Sequence, residues 1–265
     1  MTQRGDETAT GGTTERIPPC SGADRTSPSP RFKGGAMAKL ETFYKLARPD
    51  GFDFYTGETI NYRDNIGKTV ICPKFNAQGM LCSGAFIHAS RDASQCFIGA
   101  RIPCSAYRVQ GVPLAEDKNK CGFKELGVIK ELQPRKLFKW KYELAANPIN
   151  PFKIPPPKIT QKENDLLKRW ASVGASVGAS VGASVWDSVG ASVGDSVGDS
   201  VWAYIGFIFS PVIKKWKYVN FPYRGYPYKS AVDLWMKGLV PSLDGKVWRL
   251  HGGKNAKMPY TLETP

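Results

Sequence analysis

Histidine is scarce in this chain: His88 and His251 are the two imidazoles among 265 residues. That leaves few ways to place a base beside a nucleophile or to build a nitrogen-rich metal site. The six cysteines, Cys20, Cys72, Cys82, Cys96, Cys104 and Cys121, include no CxxC pair, and from Cys72 onward their spacings of eight to seventeen residues are not those of a zinc finger or ribbon. Neither a metal nor a cofactor is expected. No window reaches the roughly 18 consecutive apolar residues of a membrane span, so no membrane partner is expected either. No apolar leader precedes the cysteines, and a chain of this length needs no disulfide staples, so the thiols are read as reduced and the protein as soluble and cytoplasmic.

Acid is the minority charge, with 23 Asp and Glu against 37 Lys and Arg, for a formal net charge of +14. A positive field of this kind raises the local concentration of acidic partners, whether nucleic acid, an anionic surface or an acidic protein. Its placement is uneven. Residues 120–158 hold nine bases against three acids and residues 210–265 hold ten against three, whereas 171–202 has no base and three acids, Asp187, Asp195 and Asp199. An anion-binding surface is therefore expected on the parts that flank 171–202.

The chain reads as an α+β protein in several parts. Residues 1–36 are rich in Thr, Gly, Ser, Pro and charge and bury too little to offset ordering entropy, so a disordered tail is expected. Alternatively, Met37 is the true start and the tail an extension. Residues 37–146 carry short β-like runs, KTVIC (68–72), QCFIGARI (95–102), SAYRVQGV (105–112) and LGVIKEL (126–132), between turn residues. They predict a small β-rich N-terminal domain, with HASRDASQC (88–96) as its best helix candidate. Residues 147–160, which open with NPINPFKIPPPK, predict a semi-extended proline-rich linker.

Thr160 with Glu163 is a capping-box pattern that starts a helix near Gln161. It leads into eight copies of a four-residue unit, ASVG ASVG ASVG ASVW DSVG ASVG DSVG DSVW, at 171–202. As a silk-like strand the array is too long; as a helix each copy advances ~400°, so its valine row drifts by ~40° per copy. A long central helix over 161–209 is the preferred reading, although glycine and serine lower its propensity. The repeat glycines recur with no Lys-Ser/Thr pair and form no phosphate loop. Residues 210–265 then predict a small aromatic, basic α+β module. In it Ser230, Asp233 and Gly238 bracket a helix, and Asp244-Gly245 marks a hairpin.

Two sets of residues could carry chemistry. In LCSGAFIHASRD (81–92), Cys82, Ser83, His88 and Arg91 could line the pocket of a divergent, transferase-like enzyme. In PRKLFKWKY (134–142) and KKWKYVNFPYRGYPYK (214–229), bases alternate with aromatics, the combination that contacts phosphate and stacks bases. The nucleic-acid-binding candidates are Arg135, Lys136, Lys139, Trp140 and Lys141, with Lys214, Lys215, Trp216, Lys217 and Arg224. The same alternation also describes a half-buried strand with a solvated lysine face. The preferred function is a non-catalytic binding or structural protein whose basic modules engage nucleic acid or an acidic protein. The repeat is read as a spacer or a tolerated expansion, with self-association through 171–202 as a further alternative.

The (A/D)SV(G/W) array running into WAYIGFIF and followed by AVDLWMKGLVPSLDGKVWRLHGG resembles a group of uncharacterised bacterial, archaeal and phage-associated proteins with DSVWDSV-type repeats. The likeness continues upstream through FKWKYELAANPINPF. The segment with Cys82, Ser83, Gly84 and then His88 is similar to a small microbial domain of unknown function in which a Cys-Ser-x-Gly-like motif precedes a histidine. The resemblance spans most of 40–257 and implies no activity.

Overall fold

β-Branched and aromatic residues between glycine and proline turns build the first half of the chain as strands. The computed structural model describes residues 39–174, 177, 180–181, 199–244 and 247–263. The expected tail at 1–36, Met37 and most of the repeat lie outside the described residues. Strands β1 (Glu41–Ala47), β4 (Ser105–Gly111), β7 (Glu125–Leu132) and β2 (Thr69–Ile71) form an antiparallel sheet in the order β1-β4-β7-β2. A smaller sheet has the order β3-β6-β5, from β3 (Ile87–Ala89), β5 (Ala115–Glu116) and β6 (Cys121–Phe123).

The central strand β4 is buried on both faces, which explains why its residues do not alternate with solvent. Tyr107 and Val109 join Phe43, Tyr62, Val70, Phe123 and Leu126 in one core. Ala106, with Cys104 just before the strand, belongs to a second and larger core on the other side of the sheet. That core also takes Phe138 and Trp140, Leu167 and Trp170, Val177 and Val181 of the repeat, and Tyr228, Leu234, Leu239 and Leu250.

The elements around the second core are α1 (Pro134–Leu137), α2 (Tyr142–Ala146), α3 (Gln161–Ala171), α4 (Asp199–Phe209) and α5 (Lys229–Trp235). A three-stranded sheet comes next, of order β10-β9-β8, built from β8 (Leu239–Asp244), β9 (Val247–Gly252) and β10 (Lys257–Glu263). The fold is α+β. The capping box at Thr160 and Glu163 is present, and Lys237 pairs with the buried Glu163 and holds its carboxyl down at about 2. Asp244 pairs with Val247, so the Asp-Gly hairpin forms with a two-residue connection.

Three expectations are corrected. The single helix over 161–209 is broken: α3 ends at Ala171, a turn follows at Ser172 and Val173, and α4 is a separate helix, with α3 and α4 both packed on α5. The break has a local cause, because the Ser172 hydroxyl donates to the Arg169 carbonyl at 2.8 Å and competes with the helical ladder. In the segment 88–96, His88 and Ala89 are in β3 opposite Gly122 and Cys121, and Asp92 caps a 3-10 helix at Ala93–Ile98. The short helix expected between Ser230 and Gly238 forms as α5, opening at Lys229 after Tyr228, and its first turn is closed by Lys229 with Asp233 at 2.6 Å.

The proline-rich stretch is a docked strap with a 3-10 turn at Pro151–Lys153 rather than a bare linker. Pro151 is buried, and the Trp235 indole N–H donates to the Ile149 carbonyl at 2.8 Å. Gly238, which ends the α5 region at φ +76°, faces this strap, and a Cβ there would lie 2.8 Å from the Ile154 carbonyl oxygen. Glycine is demanded twice, by the left-handed backbone and by the close approach.

The fully buried Val177 and Val181 make the described part of the repeat a contributor to the core. Val181→Ala is expected to lower unfolding free energy by about 1.5–3 kcal/mol in urea titration. A change within about 0.5 kcal/mol would assign the repeat the role of a solvent-facing spacer.

Candidate nucleic-acid interface

The enzyme candidates are each held by other partners. His88 sits on β3 half-buried, and its Nε2–H donates to the Leu81 carbonyl. Burial pushes its pKa down to about 4, with the positive charges of Lys45 and Lys120 adding to the effect and the Leu81 bond opposing it. Ser83 commits its hydroxyl to the Met80 carbonyl at 2.6 Å, the exposed Cys82 thiol accepts from Lys120 Nζ at 2.8 Å, and neither is bonded to the imidazole. Arg91 is held by Glu41 and Glu116 and stacks over Phe43, with 5.0 Å to the ring centroid. The five described cysteines are free thiols, and burial pushes Cys104 and Cys121 up to about 11, where the reactive thiolate is rare. No group of three or more His, Cys, Asp or Glu side chains among the described residues could hold a metal ion.

Sequence reasoning missed the other histidine's partner. His251 Nδ1–H donates to the Ala256 carbonyl at 3.2 Å, which leaves Nε2 to accept from the Ser242 hydroxyl at 2.8 Å. The signal was present in the Asp-Gly turn: a two-residue connection puts Val240 opposite His251 and Ser242 one pair further along on the same face. Serine and base are in reach of one another, but they stand on the face of a three-stranded sheet. Two clefts, of about 580 Å³ beside Thr160 and Tyr260 and about 490 Å³ beside Gln133 and Glu143, lie elsewhere. The pair acts as a clasp between β8 and the turn that leads into β10.

The basic segments do come together. After α1 the chain is extended at Phe138, and alternate residues face opposite ways. Phe138, Trp140 and Tyr142 point into the core and stack, with ring centroids 5.1 Å apart for Phe138 and Trp140 and 5.7 Å for Phe138 and Tyr142. Arg135, Lys136 and Lys139 are exposed. Lys141 turns toward the C-terminal end of α4: its backbone N–H donates to Ile208 at 2.9 Å, and its ammonium donates to the Phe207 carbonyl and the Ser210 hydroxyl at 2.7 Å each. The ammonium also lies 3.8 Å from the centroid of the Phe207 ring, and burial lowers its pKa from the ordinary lysine value.

Ser210 leads directly into the second basic segment, where Lys214, Lys215, Lys217 and Arg224 are exposed. Trp216 is buried, packed edge-on against Tyr226 at 5.0 Å. Three of the ten expected contact residues are therefore corrected: Trp140 and Trp216 are core residues, and Lys141 is a helix cap. The other seven, Arg135, Lys136, Lys139, Lys214, Lys215, Lys217 and Arg224, are exposed. The chain carries no acid from Gln133 to Tyr142 or from Ser210 to Val232.

No family model matches this chain, and neither curated proteins nor solved structures show a significant similarity to it. No helix of the described residues is long and apolar enough to cross a membrane.

This geometry can be tested at two residues. Lys141→Met keeps the apolar stem but deprives the Phe207 carbonyl and the Ser210 hydroxyl of a donor, and a loss of about 1–3 kcal/mol in chemical denaturation is expected. A wild-type midpoint would show that the cap contributes nothing. For His88, the unfolded chain takes up the proton near pH 6.5 and the folded chain near 4. Its contribution is thus complete above about pH 6.5 and is lost as pH falls toward 4, by about 3 kcal/mol in full. Urea titrations of wild type and His88→Gln at both ends of that range check the sign: the variant should lose less stability than the wild type on acidification.

Proposed function

We propose that this is a non-catalytic nucleic-acid-binding protein that engages the phosphate backbone through the cations around the C-terminal end of α4. The observation that carries this reading is the bridge made by Lys141. One side chain joins two basic segments about 70 residues apart in sequence, the stretch with the exposed Arg135, Lys136 and Lys139 and the stretch after Ser210 with the exposed Lys214 and Lys215. Clustered cations attract polyanions, and release of condensed counterions makes such binding strongly salt-dependent.

Fluorescence anisotropy with labelled DNA and RNA tests the reading. Binding in the range of about 1–100 μM is expected near physiological salt, tightening steeply as salt is lowered. The combined substitution Lys139→Glu, Lys214→Glu, Lys215→Glu should weaken binding at least about tenfold and flatten the salt dependence by about one unit of slope for each phosphate no longer engaged. An absence of binding to every DNA and RNA at low salt would overturn the proposal.

A further inference from the structure

The tryptophans that the sequence offered for stacking are buried, yet the same loop exposes other rings. Tyr218 is 68% exposed and Tyr223 is 38% exposed, while Trp216, Tyr226 and Tyr228 on either side of them are packed away. An aromatic ring left in water forgoes the burial that normally decides its position, so two of them within one cation-bearing loop invite a ligand. We infer that Tyr218 and Tyr223 form a stacking platform for unpaired bases, and that the ligand of the basic surface is single-stranded nucleic acid. This inference rests on the reading of the surface as a nucleic-acid interface.

Two features of the loop support a built platform over a loose tail. Tyr218 has φ +56°, in the left-handed region that bulky side chains rarely enter. It comes directly after Lys217 and the anchored Trp216, so the chain accepts conformational strain at a residue whose ring is not buried. Tyr223 is braced from behind: its ring meets Phe221 edge-on at 6.2 Å, and Phe221 meets the fully buried Tyr228 at 6.3 Å. A ring backed by the core in this way has less freedom to lose on binding.

The choice of single strands rests on the geometry of the ligand. In a duplex the base faces are already stacked on one another, and a protein side chain reaches only groove edges and phosphates. A single strand offers its π-faces at every nucleotide, and aromatic rings beside a cationic track take them without regard to sequence. Lys214, Lys215 and Arg224 supply that track within the same loop and are exposed.

The test uses the full chain with a fluorescein-labelled thymidine oligonucleotide and, separately, its duplex with an adenosine oligonucleotide. The single strand should bind more tightly. Tyr218→Ala and Tyr223→Ala should each weaken single-strand binding by about tenfold and leave duplex binding unchanged. Tyr218→Phe should retain the wild-type affinity, and Tyr55→Ala, at an exposed tyrosine in another part of the fold, should have no effect. Melting curves of each variant verify that the fold is kept. Equal binding of both ligands, weakened by Lys214→Glu but untouched by the tyrosine substitutions, would overturn the platform and leave the basic interface standing. Absence of binding to either probe would overturn both.

Discussion

A helix that ends inside a protein leaves carbonyl groups without partners, and at α4 two of these are met by Lys141. Its backbone N–H takes Ile208 and its ammonium takes Phe207, while Phe209 is met by Val212 from the following turn at 3.0 Å. Because Lys141 must reach the helix end, its neighbour Trp140 is pressed against Phe209, with 5.1 Å between ring centroids. Tyr142 on the other side is fixed to the first sheet, accepting from the Cys104 N–H at 2.8 Å and donating to the Cys104 carbonyl at 3.1 Å. One extended stretch thus ties the β-rich half to the helical half, and the cations that it exposes are positioned as a by-product of that tie.

The same end of α4 is favourable for positive charge in its own right. Aligned peptide dipoles leave partial negative charge at a helix C-terminus, which offsets part of the cost of burying the Lys141 ammonium there.

Much of the local structure was legible in the sequence where a single side chain decides it. Thr160 with Glu163 announced the start of α3, and Asp244-Gly245 announced the hairpin, because caps and tight turns are settled within four residues. What was not legible depends on distant partners. Nothing near Trp140 or Trp216 says which side of the chain faces the core, since the alternation with lysine is the same in either case; Phe209 and Tyr226 decide it. The end of α3 at Ala171 was hidden by the regularity of the repeat, in which each serine is locally alike, and it is Ser172 that bonds back at the helix end. The Ser242 and His251 contact could be reached by counting register from the turn, yet the pair serves as a clasp.

The repeat takes a different place in the fold from the one its composition suggests. Val177 and Val181, one unit apart, are both fully buried, and Gly206 of α4 lies so close that a Cβ there would approach Val181 to 2.9 Å. The small residue on one side admits the branched one on the other, as in any close helix contact. Asp199, the described acid of the repeat, stands in the first turn of α4, whereas Lys141 closes its last. Eleven residues of helix span about 16 Å, so Asp199 stands a full helix length from the end that Lys141 closes. The helix dipole favours this polarity, with acid at the start and base at the end, and the two ends of α4 thus carry opposite charge for the same physical reason.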